Sequence, residues 1–282
     1  ITLRQYWGCG AAVGAGQPKV MTLKVSKGSL KKNGNLAPGL FVPDRDIDAN
    51  PSYAVWPNQK NSKRVSDRSS LQGQHRIVGD GVPASLQFEL DRNAEFMPGI
   101  SLDSKGELTD SIQLQWQPVE RARGYFLHAM AVQDERSFVM WSSAEVAGAS
   151  HELLNYLTGS NIDKWIKQKV LLAPSTRRCA IPKGIFKPSG KGARDEAVAA
   201  LNMIAYGPET NLAWPERPAD PKQPWRPEWN VRVRTKSTTT AMLGVSLENM
   251  DGAPSNEEPA EEAPQKQEGG AKKLMRSLLK KF

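Results

Sequence analysis

Cysteine and histidine are both scarce: 282 residues hold two cysteines, Cys9 and Cys179, and three histidines. Two isolated cysteines cannot build a thiolate zinc site, and Trp7-Gly8-Cys9-Gly10 lacks the second cysteine of a redox CxxC. His75, His128 and His151 fall in three separate elements with no HxxxH or HxH spacing, so no metal site is expected from them. The glycine-rich string Gly10 to Gly16 runs into Gln17-Pro18, where a dinucleotide site needs a helix, and Gly184 to Gly192 lacks the spacing and the Ser/Thr of a P-loop. There is no GxSxG elbow either, so neither a catalytic residue nor a cofactor is expected. No apolar run approaches the length of a transmembrane helix, and no signal-peptide pattern occurs. The chain opens on Ile1 rather than Met, which leaves open a processed leader or preceding residues.

The charge is unevenly spread. The whole chain carries +8, but from Ser246 onward seven acids (Glu248, Asp251, Glu257, Glu258, Glu261, Glu262, Glu268) face six bases, a net of −1, so the rest holds about +9 and favours acidic partners or anionic surfaces. Residues 246–270 read as an acidic, Pro- and Glu-rich disordered linker. It gives way to a basic amphipathic run, 271–282. Wound as a helix, that run gathers Leu274, Met275, Leu278, Leu279 and Phe282 on one face, while Lys272, Lys273, Arg276, Lys280 and Lys281 cover the rest. So short a segment is neither stably helical alone nor able to span a bilayer, so its helix forms on contact. Two partners suit it: an anionic membrane surface, each nearby Lys or Arg adding about 1 kcal/mol of attraction, or a hydrophobic groove on a protein partner or second copy.

Elsewhere the pattern is mainly β. Thr2 to Trp7, Val20 to Val25, His75 to Val78 and Ser85 to Leu90 read as strands, separated by a Gly-, Pro-, Asn- and Lys-rich stretch, Gly28 to Ser70, that reads as a surface arm. From Asp110 the alternation sharpens. Ser111 to Trp116, Tyr125 to Val132 and Ser137 to Ser142 are strands around a turn at Pro118 to Gly124. Two short helices, Ser150 to Leu157 and Asn161 to Val170, are expected between 148 and 173, the second opened by a Ser160/Asp163 cap.

The string IQLQWQPVERARGYFLHA resembles the B and C strands of fibronectin type III and related immunoglobulin-like domains, where a Trp precedes a GY and a long apolar strand. Leu201 to Glu209 is similar to the penultimate strand of that fold and Asn230 to Thr235 to its last. The resemblance spans roughly 110–240, is interrupted by the helical stretch, and implies binding or adhesion more than catalysis. The opening QYWGCGAAVGAGQPKV resembles the start of uncharacterised exported proteins of Gram-negative bacteria, which implies a periplasmic or cell-envelope location; the cytoplasm is the alternative. An oxidising compartment would let Cys9 and Cys179 pair, whereas a reducing one would leave two buried thiols.

The expected architecture is two sandwich-like modules, 1–105 and 106–245, the second with the helical insertion, followed by linker and docking helix. The Trp/Pro stretch 213–229 forms an extended strap that forbids helix and sheet interior. Trp214, Trp225 and Trp229 either fill gaps in the sandwich or form an exposed aromatic platform for a glycan or partner. Basic clusters at Lys60, Lys63, Arg64 and Arg68, and at Arg177, Arg178, Lys183, Lys187 and Lys191, have no interleaved stacking motif, which argues for solvated loops over nucleic-acid binding. The expected function is a non-catalytic structural or interaction protein of the cell envelope or of a larger assembly, docked by its C-terminal helix. The alternative is an enzyme or ligand-binding protein with a site near the strap.

Overall fold

A computed structural model of the chain describes residues 1–26, 29–40, 42, 52–58, 63–66, 68–134, 136–188 and 198–244. The linker 246–270 and the run 271–282 lie outside the described residues.

The chain is mainly β. Its centre is β7 (Ile112–Trp116), β8 (Gly124–Asp134), β9 (Ser137–Ser142), β11 (Val198–Trp214) and β12 (Trp229–Leu243). Before them come β1 (Thr2–Trp7), β2 (Lys19–Ser26), β3 (Ser29–Gly34), β4 (Gly73–Arg76), β5 (Gln87–Leu90) and β6 (Leu102–Lys105), and between β9 and β11 lies β10 (Arg178–Ile181). A large sheet runs β12-β11-β8-β9-β1-β2-β3; a small one runs β10-β7-β6; β4 and β5 form a hairpin.

Period-two burial explains how the two sheets meet. On β7, Ile112, Leu114 and Trp116 point inward and Gln113 and Gln115 outward. The inward set packs on Leu127, Ala129 and Ala131 of β8, Val139 and Trp141 of β9, and Leu201 and Met203 of β11, with Cys179 and Ile181 from β10. That is a sandwich core. Trp116 meets Tyr125 edge-on, ring centres 5.6 Å apart, and the Tyr125 hydroxyl accepts from the Val119 amide at 3.2 Å, so the polar tip of a fully buried ring is satisfied.

β8 is buried at almost every position because its other face is covered too. The segment between β9 and β10 lays Leu153, Leu157, Ile162, Trp165, Val170 and Leu171 over Phe126, Ile204 and Tyr206. This insertion holds a 3-10 turn, His151–Leu153, and one helix, α1 (Gly159–Lys167). Helix α1 begins earlier than the Ser160 cap predicts: Thr158 is the N-cap, its hydroxyl accepting from the Asn161 amide at 3.3 Å. Asp163 instead pairs with Arg123 at 2.8 Å.

Strand pairing crosses the boundary expected near residue 105. β1 lies parallel to β9, Thr2 opposite Ser137 through Trp7 opposite Ser142, so the N-terminal strands extend the same sheet as the core. Part of the expected arm, Ser29–Gly34, is a strand paired with β2. After β1 the chain crosses to the small sheet, where Gly10 donates to the Ala180 carbonyl at 2.8 Å and Lys183 to that of Ala11 at 2.9 Å. There Cys9 and Cys179 are joined as a disulfide, Cα atoms 5.0 Å apart.

Because 170 residues separate the two cysteines, this cross-link removes much of the unfolded chain's freedom, on the order of 5 kcal/mol in the chain-entropy picture. Reductant, or the Cys9→Ala/Cys179→Ala variant, is expected to lower the denaturant midpoint by several tenths molar or more. An unchanged midpoint would show that the cross-link contributes nothing.

Candidate functional site

The outer face of the large sheet is covered at two places and open between them. One cover is the insertion; the other is a small cluster of Leu3, Val132, Phe138 and Ala200. In the gap, β8 contributes His128 and Met130, β9 contributes Met140 and β1 contributes Gln5. These side chains share a face because Gln5 is opposite Met140 and Met140 opposite Met130, with His128 two residues along β8. The segment 36–39 and residues 148–152 form the rim of a cavity of about 240 Å³.

Two contacts hold that rim. Gln5 accepts a hydrogen bond from the Ala37 amide at 2.9 Å, and Leu40 donates to the Gly148 carbonyl at 3.2 Å. Gly148 has a φ of +90°, and a Cβ there would run into the Pro38 carbonyl oxygen, so glycine is what allows the two backbones to approach.

The cavity is mostly apolar, with His128, His151 and Glu152 as the ionisable groups that line it. His128 is 2% exposed and makes no hydrogen bond among the described residues. Burial, reinforced by the nearby His151, pushes its pKa down to about 3, so the imidazole stays uncharged at neutral pH. The His151 ring stands 6.4 Å from it, centre to centre, at 64°. His151 lines the cavity together with its two neighbours: its Nδ1 lies 3.2 Å from the Ser150 hydroxyl and 3.8 Å from the Glu152 carboxylate.

Other expected site residues are placed as follows. Trp214 and Trp229 are cross-strand partners, but their exposure is split. Trp214 is 53% exposed, while Trp229 is 9% exposed and tilts onto Phe88 at 6.4 Å. Trp225 is half-buried; its indole donates to the Pro215 carbonyl at 2.9 Å and Arg217 sits over its ring at 5.6 Å. The strap 215–228 connects β11 to β12, and none of the three tryptophans lines the cavity. His75 stacks on Phe88, ring centres 5.2 Å apart. Of the basic clusters, Lys63, Arg64, Arg68, Arg177, Arg178, Lys183 and Lys187 are described, while Lys60 and Lys191 lie outside the described residues. So do Leu274, Met275, Leu278, Leu279 and Phe282 and their flanking bases.

Sequence reasoning missed the cavity: His128 and Met130 read only as part of the strand Tyr125 to Val132, Met140 as part of Ser137 to Ser142 and Gln5 as part of Thr2 to Trp7. The one signal available was His128-Ala129-Met130 on a strand otherwise built of apolar and small residues.

No protein-family model matches the chain, and neither does any curated protein or solved structure. Among the described residues no helix is long and apolar enough to cross a membrane.

The depressed His128 pKa fixes a sign for the pH dependence of stability. An unfolded imidazole takes its proton near 6.5, whereas the folded one waits until about 3. Between those values the unfolded state binds more protons, so stability falls as pH drops. Denaturant unfolding at pH 5.5 is expected to show about 1 kcal/mol less stability from this group than at pH 7.5, and the His128→Gln variant should lose that component. A second loss follows below pH 4.5. Although burial opposes it, hydrogen bonds from Ser70, the Leu71 amide, Gln72 and the Phe96 amide hold the Glu95 carboxyl down to about 2. Glu95→Gln is expected to flatten the curve in that acid range.

Proposed function

We propose that this chain is a non-catalytic interaction protein of the bacterial cell envelope, built on a fibronectin type III-like sandwich and attached to a protein partner. Strand order supports the fold assignment. The small sheet β6, β7, β10 faces β12-β11-β8-β9 as A, B, E faces G, F, C, C′ in immunoglobulin-like domains. In this reading the helical insertion replaces the connection between C′ and E, and β1 to β3 are an added arm.

The observation that carries the interaction reading is the β11–β12 ribbon. β11 leaves β8 at Tyr206, opposite Gly124, passes a bulge between Tyr206 and Glu209 and continues with β12 alone to Trp214 opposite Trp229. Its connecting strap is where immunoglobulin-like domains place a binding loop, and Trp214, the last residue of β11 at the base of that strap, faces solvent. An aromatic on a Pro-stiffened loop can anchor a partner at little cost in conformational entropy. The Cys9–Cys179 bond supports an oxidising compartment. The basic amphipathic run 271–282 supplies the attachment, with the acidic linker 246–270 as its tether.

Truncation tests the attachment. Removing 271–282 is expected to move the protein from the membrane or complex fraction to the soluble fraction without changing its thermal unfolding; unaltered fractionation would contradict the reading. The ribbon is tested separately. Acrylamide is expected to quench Trp214 and not Trp229, and Trp214→Ala should weaken the purified complex at least tenfold while leaving its attachment through 271–282 in place. Equal affinity of the Trp214→Ala variant would remove the strap from the interface.

A further inference from the structure

Histidine and methionine meet at the cavity in a way that packing alone does not require. His128 is almost fully buried, lines open space and has no hydrogen-bond partner among the described residues. Buried polar side chains of ordinary cores find one. Met130 and Met140 are direct cross-strand partners on the same face, and His128 sits two residues from Met130. His151 closes the fourth side from the insertion.

We propose that this cavity binds one soft monovalent metal ion, Cu(I), through the imidazoles of His128 and His151 and the thioethers of Met130 and Met140. The donor set selects the ion. Thioether and imidazole groups favour Cu(I), whereas Zn²⁺ sites are built from Cys, His and carboxylates and Ca²⁺ or Mg²⁺ from oxygen ligands. Among the described residues no three of His, Cys, Asp and Glu gather as such a site would need. The two thioethers are uncharged donors. Burying a single positive charge costs far less than burying a double one, and the Glu152 carboxylate on the cavity rim offers partial compensation.

Distance fits as well. Metal–imidazole bonds of about 2 Å to each ring place two ligating ring centres about 5–6 Å apart, against the 6.4 Å found between His128 and His151. His151 also has the outer support that metal-bound imidazoles use, since the Ser150 hydroxyl and the Glu152 carboxylate flank its Nδ1. This site is independent of the ribbon and of the C-terminal run.

The test uses the full chain with its disulfide intact. Ag(I), a redox-inert analogue, is titrated calorimetrically, and Cu(I) is titrated anaerobically in competition with a Cu(I)-specific chelator. One ion per chain is expected, with the His128 and His151 ring resonances shifting together. The Met130→Leu/Met140→Leu double variant preserves volume and the apolar surface; it should keep wild-type thermal unfolding and lose at least tenfold in Cu(I) affinity. His128→Gln should lose at least as much. Absence of one-to-one binding overturns the proposal, and so does binding that survives the double methionine variant, because the ion would then sit on other methionines. Equal competition by Zn(II) overturns the choice of ion.

Discussion

The pairing of β8 with β11 is the constraint on which the rest of the molecule depends. From Val132 opposite Val198 to Gly124 opposite Tyr206 the two strands run in unbroken antiparallel register, and both of their faces are covered. One face receives the three-stranded sheet and the other the helical insertion. Each fully buried large side chain on this seam, such as Leu127, Phe126 or Ile204, contributes about 2 kcal/mol of apolar burial. Its two tyrosines are satisfied at their hydroxyls: Tyr125 accepts from the Val119 amide and Tyr206 donates to the Leu153 carbonyl. A strand with two buried faces has no side on which to place a charge. Charged side chains are accordingly found on β3 and on the strap, where Lys31, Lys32, Arg217 and Lys222 are exposed.

The same arrangement explains why a cavity exists where it does. The insertion is too short to cover the whole outer face, and its apolar side chains end over Phe126, Ile204 and Tyr206. At the opposite end Val132, Phe138, Ala200 and Leu3 close on one another. Between the two clusters the sheet presents one row of side chains with no apolar lid, only a strip of backbone pinned at Gln5 and Gly148. Polar or polarizable residues are tolerated there, and His128, Met130 and Met140 occupy that row.

Legibility in the sequence followed how strongly each strand alternates. β1, β7 and β9 could be read nearly to the residue, β7 because Ile112, Leu114 and Trp116 alternate with glutamines and β9 because its apolar run Phe138 to Trp141 is bounded by serines. β3, whose Ser-Leu-Lys-Lys-Asn-Gly is exposed at every position, could not. β6 and β10 were too short to show a period. The apolar run of β8 was recognisable as a strand, but nothing local says that a helix covers it. The tryptophans of the strap were legible as a group, yet their division into exposed Trp214 and buried Trp229 depends on Phe88, which arrives from a distant hairpin. His128 and His151 are adjacent only because the insertion folds back across the sheet, a relation that no spacing rule encodes.

β1 has a consequence for how this sheet is assembled. Its parallel partner β9 lies more than a hundred residues further along the chain, so β1 finds no local partner there and joins an edge that the later strands must first create. The N-terminus thus behaves as a strand donated by the protein to itself: it caps the exposed hydrogen-bonding groups of β9 that would otherwise invite another chain. Its hairpin extension then moves the open edge out to β3. That new edge carries Lys31 and Lys32 and has every residue exposed, and a lysine-bearing edge is a poor template for further strand addition. The arm therefore exchanges an apolar, aggregation-prone rim for a charged one and keeps the sheet finite.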